Sequence, residues 1–444
     1  MRFYKQLFFS DRFYQIGSSL VFLFIIAHFV PLLYGFAILL CLAFGVLTIL
    51  DIILLFGLKK DLYAERQTPE KLSNGEENDI LLHAVNKGNQ TLHLELIDEA
   101  PIEFQLKNLR FKFKLKANEV KDISYTIVPK ERGEYHFGDL ILFVKSKLGL
   151  VRRKIKQHCD IQSVKVYPSF SKLKKYELMA LNTGHIEGGI KKVRKIGQQK
   201  EFDQIKEYVA GDDFRTINWM ATARSQQLMV NHYQDEKAQQ VYAVLDMSRN
   251  MKLPFNGMTL LDYSINASLV LLHIAQVKQD LIGVSAFDYN NSNFLKASRN
   301  SGQMKNVLEQ LYNLNPSYKE TDFANITTLL RRQIKHRSLL LFFTNITHKE
   351  SFKRKLPYLK RLAKKHLLVV VLFEDTEIKN ELSKKIESLE DIYIKALQEE
   401  NILERKFMAK ELQQNGIHTI LTTPEKLNVD TINKYLELKA RGLL

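Results

Sequence analysis

Cysteine is scarce in this chain: two residues in 444, Cys41 inside an apolar run and Cys159 in a basic stretch. That leaves no disulfide framework and no thiolate zinc site, and it fits a reducing compartment. The twelve histidines are scattered singly, with no His-Glu-x-x-His helix and no cysteine with an assignable histidine. A Gly-x-Ser-x-Gly elbow is missing, and Gly188-Gly189 lacks the spacing of a phosphate loop. Tryptophan occurs once, at Trp219. Aromatic platforms are thin among the basic residues and no reader motif appears, so nucleic acid is set aside as a partner.

What is present is length and positive charge. A chain of 444 residues calls for two or three domains. Lys and Arg number 65 against 49 Asp and Glu, a formal charge of +16, which points to an anionic partner. Much of the excess lies in a belt from Lys145 to Lys200, opposed only by Asp160, Glu177 and Glu187. An anionic lipid leaflet or an acidic protein fits that belt, as does a merely solvated basic face.

Residues 13–58 are almost entirely apolar, interrupted by His28, Pro31 and Asp51. The run is too long for one span or for a signal peptide and fits two helices, about 13–30 and 32–58, so residues 1–60 are expected to form a transmembrane hairpin. Arg2, Lys5 and Arg12 precede the hairpin and Lys59 and Lys60 come after it, which places both ends in the cytoplasm. Asp51 lies about 10 Å from the helix end at helical rise, so snorkelling or pairing with Lys59 is expected of it.

Residues 68–170 alternate in the strand period at Asp79–Val85, Thr91–Ile97, Phe111–Lys116 and Ile123–Val128, with Asn86–Asn89 expected as a hairpin turn. Short strands with frequent turns argue an all-β, immunoglobulin-like sandwich serving as a spacer and interaction module. His83 and His93 fall on strands and are read as satisfied or exposed imidazoles, not ligands.

Residues 171–240 form a connector. Leu181–Gly189 is glycine-rich and expected to be a mobile loop, and Asp203–Val209 carries a short helix-like pattern. Gly211-Asp212-Asp213 comes next, with Arg215, Trp219 and Arg224 beyond it. The paired carboxylates suit a cation or acid–base chemistry. They equally suit capping of a helix from Asp213 through Ala223, with Arg215 and Arg224 as ion-pair partners. Trp219 is expected to be buried.

From Val241 strand and helix patterns alternate to the last strand at Ile417–Leu421, with Pro424 opening the final helix. Residues 241–444 are therefore expected to form a doubly wound, Rossmann-like α/β domain. The apolar run Val241–Leu245 stops at Asp246-Met247-Ser248, which suggests a buried parallel strand delivering oxygen ligands at its carboxyl end.

The segment Tyr208–Trp219, with Ala223-Arg224 and Leu228-Met229-Val230 at their spacing, resembles the bacterial family catalogued as domain of unknown function 58. The chain beyond it looks like a von Willebrand factor A-type domain, the two together covering roughly residues 165–375. The resemblance implies a MIDAS-like Mg²⁺ site in which Asp246 and Ser248 supply the first loop and Thr321 the second. Asn250 and Asn345 stand where a serine and an aspartate are expected, so one negative charge is missing and metal binding is expected to be either weak or lost. Asp262 matches a position often acidic in the family. Association with MoxR-type AAA+ ATPases is implied too. The reading is a membrane-anchored scaffold or adaptor in the bacterial cytoplasmic (inner) membrane, its soluble domains facing the cytoplasm. Two alternatives stand: a metal-dependent enzyme using Asp212 and Asp213, and a purely structural envelope protein.

Overall fold

The computed structural model describes residues 6–57, 62–106, 109–146, 148–159, 163–170, 173–181, 200–235, 238–289, 292–374 and 389–444. The chain divides into two compact units, Met1–Tyr167 and Pro168–Leu444.

The first unit opens on a short strand, β1 (Leu7–Phe9), followed by the helices α1 (Asp11–Phe29) and α2 (Tyr34–Gly57). The break falls at Pro31, in a 3-10 turn of Pro31–Leu33, because proline cannot continue the helix that precedes it. Both helices are long and apolar enough to cross a bilayer, and side chains such as Phe22, Phe29 and Leu42 stand exposed on them. They touch along aromatic contacts, Phe13 to Phe44 at 5.1 Å and Phe24 to Tyr34 at 6.2 Å between ring centroids.

Ten strands complete this unit. They are β2 (Leu62–Gln67), β3 (Lys71–Ser73), β4 (Asn78–Asn86), β5 (Leu92–Asp98) and β6 (Arg110–Leu115). The others are β7 (Val120–Ile127), β8 (Gly133–His136), β9 (Leu140–Lys145), β10 (Val151–Gln157) and β11 (Ser163–Tyr167). Three sheets result, in the orders β1-β10-β9-β5-β6, β2-β4-β7 and β3-β11-β8. Alternate residues of β4 and β5, among them Leu82, Ala84, Leu94 and Leu96, share one core. Between the first two sheets, Arg66 of β2 is bonded to Asp98 of β5 through two nitrogens, and Tyr125 of β7 donates to the same carboxylate at 2.6 Å. Both charged side chains are fully buried. A buried pair of this kind fixes how the sheets meet more than it adds stability.

Two expectations are corrected here. Asn86–Asn89 is not a hairpin turn, because β4 pairs with β2 and β7 while β5 lies in the other sheet. The buried Asn86 side chain explains the corner: it donates to the Gln90 and Lys116 carbonyls, both at 2.8 Å, and accepts from Gly88 N at 3.0 Å. Asp51 does not snorkel. It is fully buried and accepts from Leu150 N and Val151 N, both at 2.9 Å, and from the Ser146 hydroxyl. The turn between β9 and β10 comes up against α2, so its amides satisfy the carboxylate locally; Lys59 lies outside the described residues.

The second unit begins with α3 (Leu173–Leu181), whose Leu173 and Tyr176 cover the core, and with a hairpin of β12 (Lys200–Glu207) and β13 (Met229–Asp235) carrying α4 (Trp219–Ser225) between them. The helix-like reading of Asp203–Val209 is thus corrected: Gln204–Glu207 pair in register with β13. The central strand is β14 (Gln240–Asp246), followed by a two-rung hairpin of β15 (Pro254–Phe255) and β16 (Met258–Thr259). Then come α5 (Leu260–Val277), β17 (Leu281–Phe287), β18 (Ser292–Ser298), α6 (Gln303–Tyr312) and α7 (Phe323–Gln333). The remainder is β19 (Leu339–Phe343), α8 (Lys349–Ala363), β20 (Leu367–Phe373), α9 (Leu389–Gln414), β21 (His418–Thr422) and α10 (Leu427–Ala440). Pro424 opens a 3-10 turn that runs straight into α10.

The sheet order is β18-β17-β14-β19-β20-β21, parallel except for β18 at one edge. Val241, Ala243 and Leu245 share a core with α5, α6 and α10, while Tyr242 and Val244 share one with α7, α8 and α9. Helices therefore cover both faces, which is why β14 reads as an unbroken apolar run. Gly283 is required by close approach, since a Cβ there would strike the Tyr242 ring. Helix α5 also has the length and composition of a membrane span, yet most of it is buried in this core. Asp262 closes a capping box with Thr259 at its start. The glycine-rich stretch from residue 182 on, most of the basic belt beyond it, and residues 375–388 lie outside the described residues.

Candidate functional site at the carboxyl edge of the sheet

Strand β14 ends at Asp246, whose side chain is fully buried. One carboxylate oxygen accepts from Ser248 N at 2.9 Å and the other from the Thr344 hydroxyl at 2.7 Å. Burial pushes this carboxyl above its usual range, opposed by the Thr344 bond, the Lys355 charge and the Ser248 backbone bond. Lys355, on α8, is held below its usual value by burial, with Asp246 and Glu320 pulling the other way. Its ammonium stands 4.7 Å over the Phe323 ring.

Three loops are zipped together around this carboxylate. Ser317 N donates to Met247 O at 2.7 Å, Arg249 N donates to Lys319 O at 3.2 Å, and the Arg249 guanidinium pairs with Glu320 at 3.1 Å. Asn250 and Asn345 join the first loop to the third by a reciprocal pair of side-chain bonds. Asp246, Ser248, Asn250, Thr321 and Asn345 are thereby carried on loops bonded to one another at one end of the sheet.

Three oxygens in this group have no donor: Ser248 Oγ, Thr321 Oγ1 and Asn345 Oδ1 are all buried and unpartnered. A buried acceptor left unsatisfied costs about 1–3 kcal/mol, so three of them in adjoining loops call for water or an ion to satisfy them. Two hydroxyls, an amide oxygen and a carboxylate form a hard, oxygen-only donor set suited to a cation such as Mg²⁺. Ser248, Thr321, Asn345 and Asp246 would hold it, while the Asn250 amide nitrogen braces the loops. No group of three or more His, Cys, Asp or Glu gathers among the described residues, so the set carries a single negative charge.

The Gly-Asp-Asp segment is organised differently from expectation. Gly211 takes φ +114°, a conformation that favours glycine. Asp212 pairs with Lys206 at 3.1 Å and accepts from Val209 N at 3.1 Å. Asp213 accepts from Arg215 N at 3.0 Å and so caps a 3-10 turn, Phe214–Thr216. The single helix expected from Asp213 is split, because Asn218 starts α4 afresh by accepting from Ala221 N. Arg215 and Arg224 are exposed and pair with neither carboxylate. Trp219 is not buried: it is 70% exposed, since α4 sits on a two-stranded hairpin with no further layer over it among the described residues. Val209, Phe214, Met220 and Leu228 are exposed on the same small module.

Thr344 and Lys355 join the site without having been expected from sequence. Lys355 has a signal: it falls three residues after Phe352 and four before Leu359, on the stripe that α8 buries.

Residues 204–397 match the family model described as "Protein of unknown function DUF58". A relative from Bacillus subtilis (strain 168), described as uncharacterized protein YeaD, is 25% identical over 126 residues. That match takes in 28% of this chain and 30% of the relative's length. Similar solved structures include the CARDB domain of the PF1109 protein from Pyrococcus furiosus, at 15% identity and a TM-score of 0.17, over 24% of this chain and 87% of that one. Proximal thread matrix protein 1 from the mussel byssus is 12% identical with a TM-score of 0.25, over 44% of this chain and 45% of its own.

Proposed function

We propose that the chain is a membrane-anchored interaction scaffold of the bacterial cytoplasmic membrane, binding a partner protein through the carboxyl edge of its α/β sheet. The observation that carries this reading is the set of unpartnered oxygens, Ser248 Oγ, Thr321 Oγ1 and Asn345 Oδ1, on the loops around buried Asp246. A Mg²⁺ held there would keep an open position for a carboxylate of the partner, tying partner binding to the metal. In this reading the second unit is a von Willebrand factor A-type domain and the β-strands of the first form an immunoglobulin-like sandwich. A MoxR-type AAA+ ATPase is the partner that the resemblance implies. The exposed apolar module around Phe214 and Trp219 supports a second contact beside the metal.

The topology supports the anchor. Strands β1 and β2, on either side of the two apolar helices, belong to the same β unit, so the hairpin returns to the side it leaves. Arg12 at the start of α1, with the flanking lysines and arginines of the sequence, supports the reading that this side is the cytoplasmic one. For the enzyme alternative, both Asp212 and Asp213 are engaged in local structural bonds, and no observation favours it.

The test is calorimetric titration of Mg²⁺ and Mn²⁺ into the full chain in detergent, beside Asp246→Ala and the milder Ser248→Ala. Saturable binding that Ser248→Ala weakens supports the site. Heat indistinguishable from that of both variants would retire it.

A further inference from the structure

The first unit holds a cavity of about 590 Å³ at the start of α1. Six cationic side chains line it, Arg12, Arg110, Lys112, Lys114, Lys145 and Arg152, against the carboxylates of Asp11 and Glu95. The cations are not scattered. Strand register places Lys114 opposite His93, His93 opposite Lys145, and Lys145 opposite Arg152, one row of basic side chains across four adjacent strands. Like charges directly opposite each other destabilise a sheet, so such a row calls for an anion to offset it. Asp11 does so only in part, reaching Arg152 at 2.8 Å, while Arg152 Nε stays buried without a partner. Burial, and then the Lys114, Arg12 and Lys145 charges, hold the His93 imidazole below its usual value.

The position of the cavity identifies the anion. Ser10, Asp11 and Arg12, the first turn of an apolar helix long enough to cross a bilayer, form one wall, and Ser146 and Gly149 form another. Ser146 and the neighbouring amides of Leu150 and Val151 are bonded to Asp51 inside α2. The Ser10 hydroxyl donates to Gly149 O and so leaves the N-terminus of α1 without a side-chain cap. We propose that this cavity binds the phosphate of an anionic phospholipid head group, gripped by the Lys114–Lys145–Arg152 row and Arg12. This rests on the anchoring reading above, since only an inserted hairpin brings the cavity to head-group level. A head group of glycerophosphate size fits the volume, which lies within the usual range for small-ligand sites.

Arg110, Lys112 and Lys114 are exposed on β6, so their replacement by Gln leaves the core untouched. The experiment tracks thermal unfolding of the full chain in neutral detergent on adding dioleoyl-phosphatidylglycerol, dioleoyl-phosphatidylcholine or inorganic phosphate. Phosphatidylglycerol is expected to raise the midpoint by about 4 °C, the size expected for a specific ligand in modest excess. The R110Q/K112Q/K114Q variant should lose that shift, and K130Q/K165Q, whose lysines are exposed away from the cavity, should keep it. An equal shift from phosphatidylcholine, or a shift retained by the triple variant, overturns the inference. An equal shift from millimolar phosphate overturns the lipid as the source. Flotation with phosphatidylcholine vesicles separates the two readings: a chain that does not float sinks the anchor and this inference together, whereas one that floats without selecting phosphatidylglycerol sinks this inference alone.

Discussion

Asn250 and Asn345 brace each other, each side-chain amide donating to the other's backbone carbonyl at 3.2 Å. The two residues that depart from the expected ligand pattern thus join two of the loops around the site. The Asn345 oxygen remains unpartnered while its nitrogen is engaged. Replacing the amide by a carboxylate, Asn345→Asp, adds the missing negative charge at the cost of one loop bond. Affinity for Mn²⁺ should rise on the order of tenfold or more, as ligand charge count sets affinity at oxygen sites. Calorimetry on the purified chain measures it, and an unchanged or lower affinity would mean that the oxygens do not face a cation.

Asp51 gives a second expected outcome. In Asp51→Leu the amides of Leu150 and Val151 lose their acceptor in a buried place, at about 1–3 kcal/mol each. Their hydrogen exchange in detergent should speed up on the order of a hundredfold, by the same range. Asp51→Asn, which keeps one acceptor oxygen, should show a smaller effect. Exchange unchanged in both variants would place the β9–β10 turn elsewhere.

His366 predicts an acid-side loss of stability. Burial, with the Lys365 charge behind it, pushes its pKa down to about 4 from 6.5, and neither ring nitrogen has a partner. The unfolded chain takes up a proton near pH 6.5 and the folded one not until about pH 4. Stability is therefore full above pH 6.5 and falls as the pH drops towards 4, by on the order of 3 kcal/mol. Urea midpoints at pH 7 and pH 4.5 measure the loss. His366→Phe should lose less than the parent chain across that window, and equal losses would count against the assignment.

Trp219, as the single tryptophan, reports on its own surroundings. Its emission should be red-shifted and readily quenched by acrylamide in the free chain, and should move to the blue when a partner covers the module. Trp219→Ala should change stability by less than about 0.5 kcal/mol, as for exposed positions. It should cost partner affinity about 2 kcal/mol or more, as for an aromatic anchor. A blue, unquenchable emission from the free chain would contradict the exposed geometry.

The parts legible in the sequence are those where one environment acts along a whole segment. The apolar run of β14 can only be buried on both faces, and Asp246 at its end marks the edge where the site loops meet. Segments whose neighbours come from far along the chain are not legible in the same way. Residues 203–209 are too polar for periodicity to separate helix from strand, and their partner β13 decides. Strand β18 leaves no clear pattern because it is an edge strand with mixed, half-exposed side chains. Helical rise alone gives Asp51 a sound depth, but nothing local announces a turn from residues 146–151 reaching it. Trp219 departs from the general habit of large aromatics because, among the described residues, its module has no covering layer.

Strand β1 pairs with β10, Leu7 opposite Arg153, so it finds its neighbour only after the two helices and most of the β unit have been made. During translation the segment ahead of α1 must wait, unpaired, on the side where the rest of the unit will emerge. In the anchoring reading proposed above, a chain in which just one of the two helices spans would leave it stranded across the bilayer from β10. On that reading, closure of this sheet edge comes late in biogenesis and requires both helices to be inserted.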